Sequence, residues 1–150
     1  MSPMSGDEVL LGVARSLVGI ATRAADELGE VSIVQLRALT ILRELDVANL
    51  AQLAEGMGVT VSTTSRLVDR LVAAGMVDRR RAVHSRREIA LTLTDHGQAT
   101  LDRYDELRLA GMRALLDRLS PQEREQVLEA FTLVATAAHE STRVPLAAQQ

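Results

Sequence analysis

Two adjoining runs of this chain carry groups suited to phosphates and base edges. One is the hydroxyl-rich segment Thr60 to Ser65, and the other holds the arginines from Arg66 to Arg87. Between residues 60 and 88, seven Arg (66, 70, 79, 80, 81, 86 and 87) stand against three acids (Asp69, Asp78 and Glu88). The local balance is +4 in a chain whose formal charge is −3, so the remainder sums to −7. All seventeen basic residues are Arg, so arginine as such carries no message; its clustering does. A basic island in an acidic chain calls for a polyanion, and its placement on a helix followed by a hairpin points to double-stranded DNA.

Little else in the chain could do chemistry. The three His (84, 96 and 139) are scattered, with no pair at helical spacing and no carboxylate at metal-ligand spacing. Cys is absent, which excludes disulfides, thiolate metal sites and thiol redox sensing. No Gly-rich phosphate loop follows a strand, and there is no nucleophile elbow. Asp95-His96 beside Thr94 reads as a helix start. No catalytic residue, cofactor or metal site is expected, and the chain is not expected to be an enzyme.

The elements that position the basic groups follow from periodicity and capping. Thr60 caps a helix whose Thr64, Leu67, Val68 and Leu71 share one face, while Ser62, Ser65, Arg66 and Asp69 share the opposite one. Gly75 is placed to end it in a left-handed conformation. Met76–Arg81 and Arg87–Leu93 read as two strands, with Ala82–Arg86 as a longer, mobile tip. Arg79 and Arg81 share a strand face.

Ahead of this unit, capping boxes at Ser5/Glu8, Ser32/Gln35 and Asn49/Gln52 open three helices. After it, Thr94 caps a long helix to about Leu119, and Ser120-Pro121-Gln122-Glu123 opens a last one. The pattern stops after Ser141, leaving residues 142–150 as a loose tail. Aromatics are reduced to Tyr104 and Phe131, so the core is Leu, Val, Ile, Ala and Met. The first helix is apolar over so much of its circumference that it is expected to be buried from two sides, one of them a second subunit. The N-terminal MSPMSGDE lacks the basic flank of a secretory signal, and the apolar run after it is interrupted by Arg15. A cytoplasmic protein without a membrane span is expected.

The ordered spacing of several short motifs resembles the MarR (multiple antibiotic resistance regulator) family of winged helix-turn-helix regulators. The carriers are Leu53-Ala54, Gly58-Val59-Thr60, Thr63 to Leu71, Gly75-Met76-Val77, Arg86-Arg87, Leu93-Thr94 and Gly97, continued by Leu119-Ser120 with Glu123. The resemblance implies a mainly α fold with a small β-hairpin wing. It makes residues 1–150 one domain, with a winged helix-turn-helix lobe over about 32–93. Dimerisation helices fall at about 5–30 and 95–141. One departure stands out: Ser85 occupies the wing position before the Arg pair where the family usually carries Asp.

The expected DNA contacts are Ser62, Thr63, Ser65, Arg66, Arg70, Arg79, Arg81, Arg86 and Arg87. Arg66 can bind guanine bidentately, and the serines can reach bases or phosphates. Thr63, Arg70 and the first-strand arginines suit backbone phosphates. By resemblance, Arg87 enters the minor groove with Arg86 beside it. A two-fold dimer would set two half-sites roughly 10 bp apart. The leading expectation is a homodimeric, ligand-responsive repressor on a pseudo-palindromic operator. The other is a winged-helix dimer that sequesters another regulator without specific DNA binding. The family also implies a small aromatic effector between the dimer helices and the lobe, for which Arg15, Arg37 and Tyr104 stand on relevant helices.

Overall fold

A computed structural model describes residues 4–83 and 88–142, and the side chains up to residue 139. The chain runs α1 (Gly6–Leu28), α2 (Ile33–Leu45), α3 (Leu50–Met57), α4 (Val61–Ala73), β1 (Val77–Arg81), β2 (Ile89–Leu93), α5 (Asp95–Leu116) and α6 (Pro121–Thr142). It divides into two compact units at Leu109/Ala110.

Each helix begins where local chemistry can satisfy its free amides. Ser5, Ser32 and Asn49 accept from the backbone of Glu8, Gln35 and Gln52, whose side chains accept in return from the cap amides. Each such exchange satisfies two donors that the helix geometry leaves unpaired. Gly29 and Gly58 close α1 and α3 in the left-handed region. Ala74 closes α4, and Gly75 follows it at φ +72, a backbone conformation that costs a side chain but not glycine.

The first unit is organised around α2. Leu36, Leu39 and Leu42 are fully buried and belong to one cluster with Leu53 of α3, Leu67, Val68 and Leu71 of α4, Leu91 of β2, and Leu101 and Tyr104 of α5. Burying each large aliphatic side chain of that set contributes about 1.5–3 kcal/mol. The strands pair antiparallel with Val77 opposite Leu93, Arg79 opposite Leu91 and Arg81 opposite Ile89. A further pairing was not legible beforehand. Ala48, in what reads as a plain connector after α2, exchanges two backbone hydrogen bonds with Leu91 (3.1 and 2.7 Å). These two bonds anchor the hairpin to the lobe, beside the buried side chains of Ala48 and Leu91 in the core cluster. Asp46, just ahead of it, adopts φ +63, outside the usual region for a side-chain-bearing residue.

Three expected boundaries shift. β1 starts at Val77, not Met76, because the Met76 amide closes the end of α4 on the Leu71 carbonyl. The described part of β2 starts at Ile89. α5 ends at Leu116 rather than Leu119, the last residues tightening into a turn in which the Leu119 amide donates to the Leu116 carbonyl.

The second unit holds the end of α5 and α6. Here the Ser120 hydroxyl donates to the Glu123 carboxylate (2.7 Å) and accepts from the Glu123 amide (3.3 Å). The Glu123 side chain also accepts from the Ser120 amide, and Arg124 reaches the Leu116 carbonyl and the Asp117 carboxylate. Together these hold the α5–α6 corner.

Candidate nucleic-acid interface

The surface that matters is the outer face of α4. Thr64, Leu67, Val68 and Leu71 turn inward and are buried, as their 3.6-residue spacing requires. Thr64 is the one polar member, and its hydroxyl donates to the Thr60 carbonyl. That inward anchoring leaves Ser62, Thr63, Arg66, Asp69 and Arg70 exposed and Ser65 half-buried. At the start of the helix, the Thr60 hydroxyl accepts from the Thr63 amide, donates to the Thr63 hydroxyl (3.0 Å) and lies 3.2 Å from that of Ser62. The N-terminal turn of α4 is thus a set of interlocked hydroxyls beside the positive end of the helix dipole, an arrangement suited to phosphate.

The hairpin supplies the second part. Strand alternation puts Arg79 and Arg81 on one face, as expected, together with Val77 and across from Leu91 and Ile89. That face is the one turned toward the lobe. Arg79 consequently reaches back to α4 and pairs with Asp69 at 2.8 Å. The pair fastens the first strand to the candidate recognition helix and neutralises an acid that otherwise sits among the candidate DNA contacts. The sequence places Asp69 on the helix and Arg79 on the strand but carries no signal for their meeting. Arg81 stays exposed at the end of β1, and Arg80 projects from the opposite strand face with Asp78 beside it at 3.2 Å. Arg86 and Arg87, with His84 and Ser85, lie outside the described residues.

A cavity of about 250 Å³ lies between α2, β2 and the start of α5, against Leu42, Arg43, Asp46, Leu93, Asp95 and Gln98. It is smaller than the ~300–1,000 Å³ typical of pockets for drug-sized molecules. None of Arg15, Arg37 and Tyr104 lines it. Arg15 and Arg37 are exposed; Tyr104 is core, with Arg108 stacked 5.0 Å from its ring centre. Burial raises the Tyr104 phenol above its ordinary range, opposed by the Arg108 charge and aided by that of Asp105. Among the described residues, no cluster of His, Asp and Glu has the makings of a metal site. Nor is any helix there long and apolar enough to cross a membrane.

A helix-turn-helix whose second helix turns its polar face outward, followed by a two-stranded wing, defines a winged-helix DNA-binding protein. Comparison with known proteins makes the class more specific. The MarR family pattern matches residues 31–89. The HTH-type transcriptional repressor MdtR of Bacillus subtilis (strain 168) is 29% identical over 141 residues, 89% of this chain and 88% of MdtR. An uncharacterized HTH-type transcriptional regulator of the same organism, YfiV, is 28% identical over 108 residues, 72% of this chain and 68% of YfiV. The crystal structure of RV1404 from Mycobacterium tuberculosis matches with a TM-score of 0.79 at 33% identity, covering 91% of this chain and 97% of that one. The chain belongs to the MarR family of transcriptional regulators.

Proposed function

We propose that the protein is a cytoplasmic homodimeric repressor, without enzymatic activity, that binds a pseudo-palindromic operator through α4 and the wing. The observation that carries the DNA contact is the outer face of α4. Ser62, Thr63, Arg66 and Arg70 are presented to solvent by a helix whose other face is locked into the core. Arg66 reads a guanine edge, Ser62 and Ser65 meet bases or phosphates, and Thr63 and Arg70 hold the backbone. Arg81, Arg86 and Arg87 extend the contact along the wing. Arg79 acts through Asp69, orienting the strand rather than taking a phosphate. The similarity to a named repressor, MdtR, supports the direction of regulation.

The dimer is supported by side chains that one copy leaves bare. In α1 only Ile20, Ala24 and Ala25 are buried, while Val9, Leu10, Leu11, Val13, Leu17 and Val18 are exposed. In α6, Leu128, Leu133 and Val134 are exposed as well. Apolar surface on this scale marks an interaction site. We assign α1, the end of α5 and α6 to dimerisation, and residues 32–93 to DNA. The reading includes a small aromatic effector, which a thermal-shift screen of phenolic compounds would reveal by stabilisation.

Gel-shift titration with the DNA upstream of the protein's own gene tests the whole. Sequence-selective, salt-sensitive binding is expected; affinity no better than for random DNA, across several promoters at low salt, would refute it.

A further inference from the structure

The C-terminal end of α4 and the beginning of α5 meet at a joint with almost no side chain in it. The Thr94 amide donates to the Met76 carbonyl at 3.1 Å. The Thr94 hydroxyl donates to the Gly75 carbonyl at 2.6 Å and accepts from the Gly97 amide at 3.0 Å. Gly97 is buried against Met76 so closely that an added Cβ would overlap the Met76 carbonyl oxygen and stand 3.1 Å from its carbon. On the other side of the joint, the Met76 amide is bonded to the Leu71 carbonyl, and the Ala74 amide to that of Arg70. Rigid backbone therefore runs from the last turn of α4 into the first turn of α5, and one hydroxyl bonds both. A second strut holds α5 to the lobe further along, where Arg43 of α2 pairs with Asp105 (2.6 Å) and Asp102 (3.4 Å).

This stiffness has a consequence for reading DNA. Thirteen residues make α4 about 20 Å long at about 1.5 Å per residue. A swing of about 10° at its C-terminal end would carry its N-terminus about 3.4 Å, the rise of one base pair. A dimer that distinguishes half-site spacings by single base pairs must hold this angle more tightly than that. We infer that Thr94 is a positioning residue for operator spacing: its hydroxyl, bonded to Gly75 and Gly97, fixes the direction of α5 relative to α4 and thereby the separation of the two recognition helices. The inference rests on the dimeric-operator reading above.

The test is a set of operators selected by the full-length wild-type protein, each remade with one base pair added or removed between the half-sites, together with an isolated half-site. Binding is followed by fluorescence anisotropy for the wild type and for Thr94→Val, Thr94→Ala and Thr94→Ser. The wild type should prefer its own spacing by about tenfold or more, the scale of one mismatched base pair. Thr94→Val and Thr94→Ala should lose most of that preference while binding the isolated half-site as the wild type does. Thr94→Ser, which keeps both hydrogen bonds, should restore it. Folded Val and Ala variants with intact spacing preference overturn the inference, as does a uniform loss of affinity over all sites or the failure of both to fold, since each confines Thr94 to stability. A wild-type protein that binds DNA but ignores spacing would sink the dimeric-operator reading, and this inference with it.

Discussion

At the level of single residues, charge placement matters more than charge count. Among the described residues Arg66 and Arg70 have no ion-pair partner, whereas Arg79 is held by Asp69 and Arg80 lies beside Asp78. Exposed pairs of this kind contribute only about 0–1 kcal/mol to stability, so their effect is on orientation. Arg66→Ala is expected to cost about 1–3 kcal/mol of operator affinity and to relax selection at one base pair, whereas Arg70→Ala should weaken all sequences alike and reduce the salt slope by about one. Anisotropy titrations on the operator and its single-base variants would separate the two; equal affinity of Arg66→Ala and wild type would remove Arg66 from the reading set. The inward and outward faces of α4 were legible from the sequence because a helix repeats every 3.6 residues whatever surrounds it. The Asp69–Arg79 pair was not. Two-residue alternation shows that Arg79 and Arg81 share a face, but only packing of the hairpin on the lobe decides which face that is.

Elements are joined here by backbone as much as by side chains. The Ala48–Leu91 exchange and the Thr94–Gly75–Gly97 joint fasten the hairpin and α5 to the rest of the lobe. Gly97→Ala would drive a methyl into the Met76 carbonyl. It should destabilise the lobe by about 1–3 kcal/mol or more, the range for overpacking, measured as a drop in the urea midpoint. An unchanged midpoint would show that the joint is looser than described. Helix starts were readable in advance because a cap is a local contract between residues three apart. Long-range backbone pairing leaves no such trace, which is why Asp46–Ala48 reads as mere connector.

The α5–α6 corner makes a separate, pH-dependent prediction. The Ser120 hydroxyl first, and the Ser120 amide second, hold the Glu123 carboxyl below its ordinary value. A carboxyl with a lowered folded pKa stabilises above its unfolded pKa, and that contribution disappears as the pH falls through the folded value. The protection of the Ser120 and Glu123 amides, taken relative to their intrinsic exchange rate at each pH, should therefore drop on acidification to the bottom of the carboxylate range. The same experiment on Glu123→Gln should show no such step; a step that persists would place its origin elsewhere.

For the whole molecule, the apolar residues left exposed on α1 and α6 among the described residues are the observation behind the proposed dimer. The apolar excess of α1 was legible in its two stripes, because amphipathicity counts surface without needing to know what covers it; the second subunit expected over it belongs to the proposal. Replacing Leu10 and Val18 together with Glu should shift the protein from dimer to monomer in sedimentation equilibrium, and weaken operator binding with it. A wild-type monomer, or a dimer indifferent to both charges, would redirect the search for the interface.

The claim on which all of this depends is that the outer face of α4, with the wing, binds specific DNA. The most direct measurement is the operator affinity of the wild type as a function of salt, set beside that for random DNA. Selective binding is expected, with log affinity falling linearly against log salt by about 0.9 per phosphate engaged, and a shallower slope in Arg70→Ala. Salt-independent binding, or equal affinity for operator and random sequence, would contradict it.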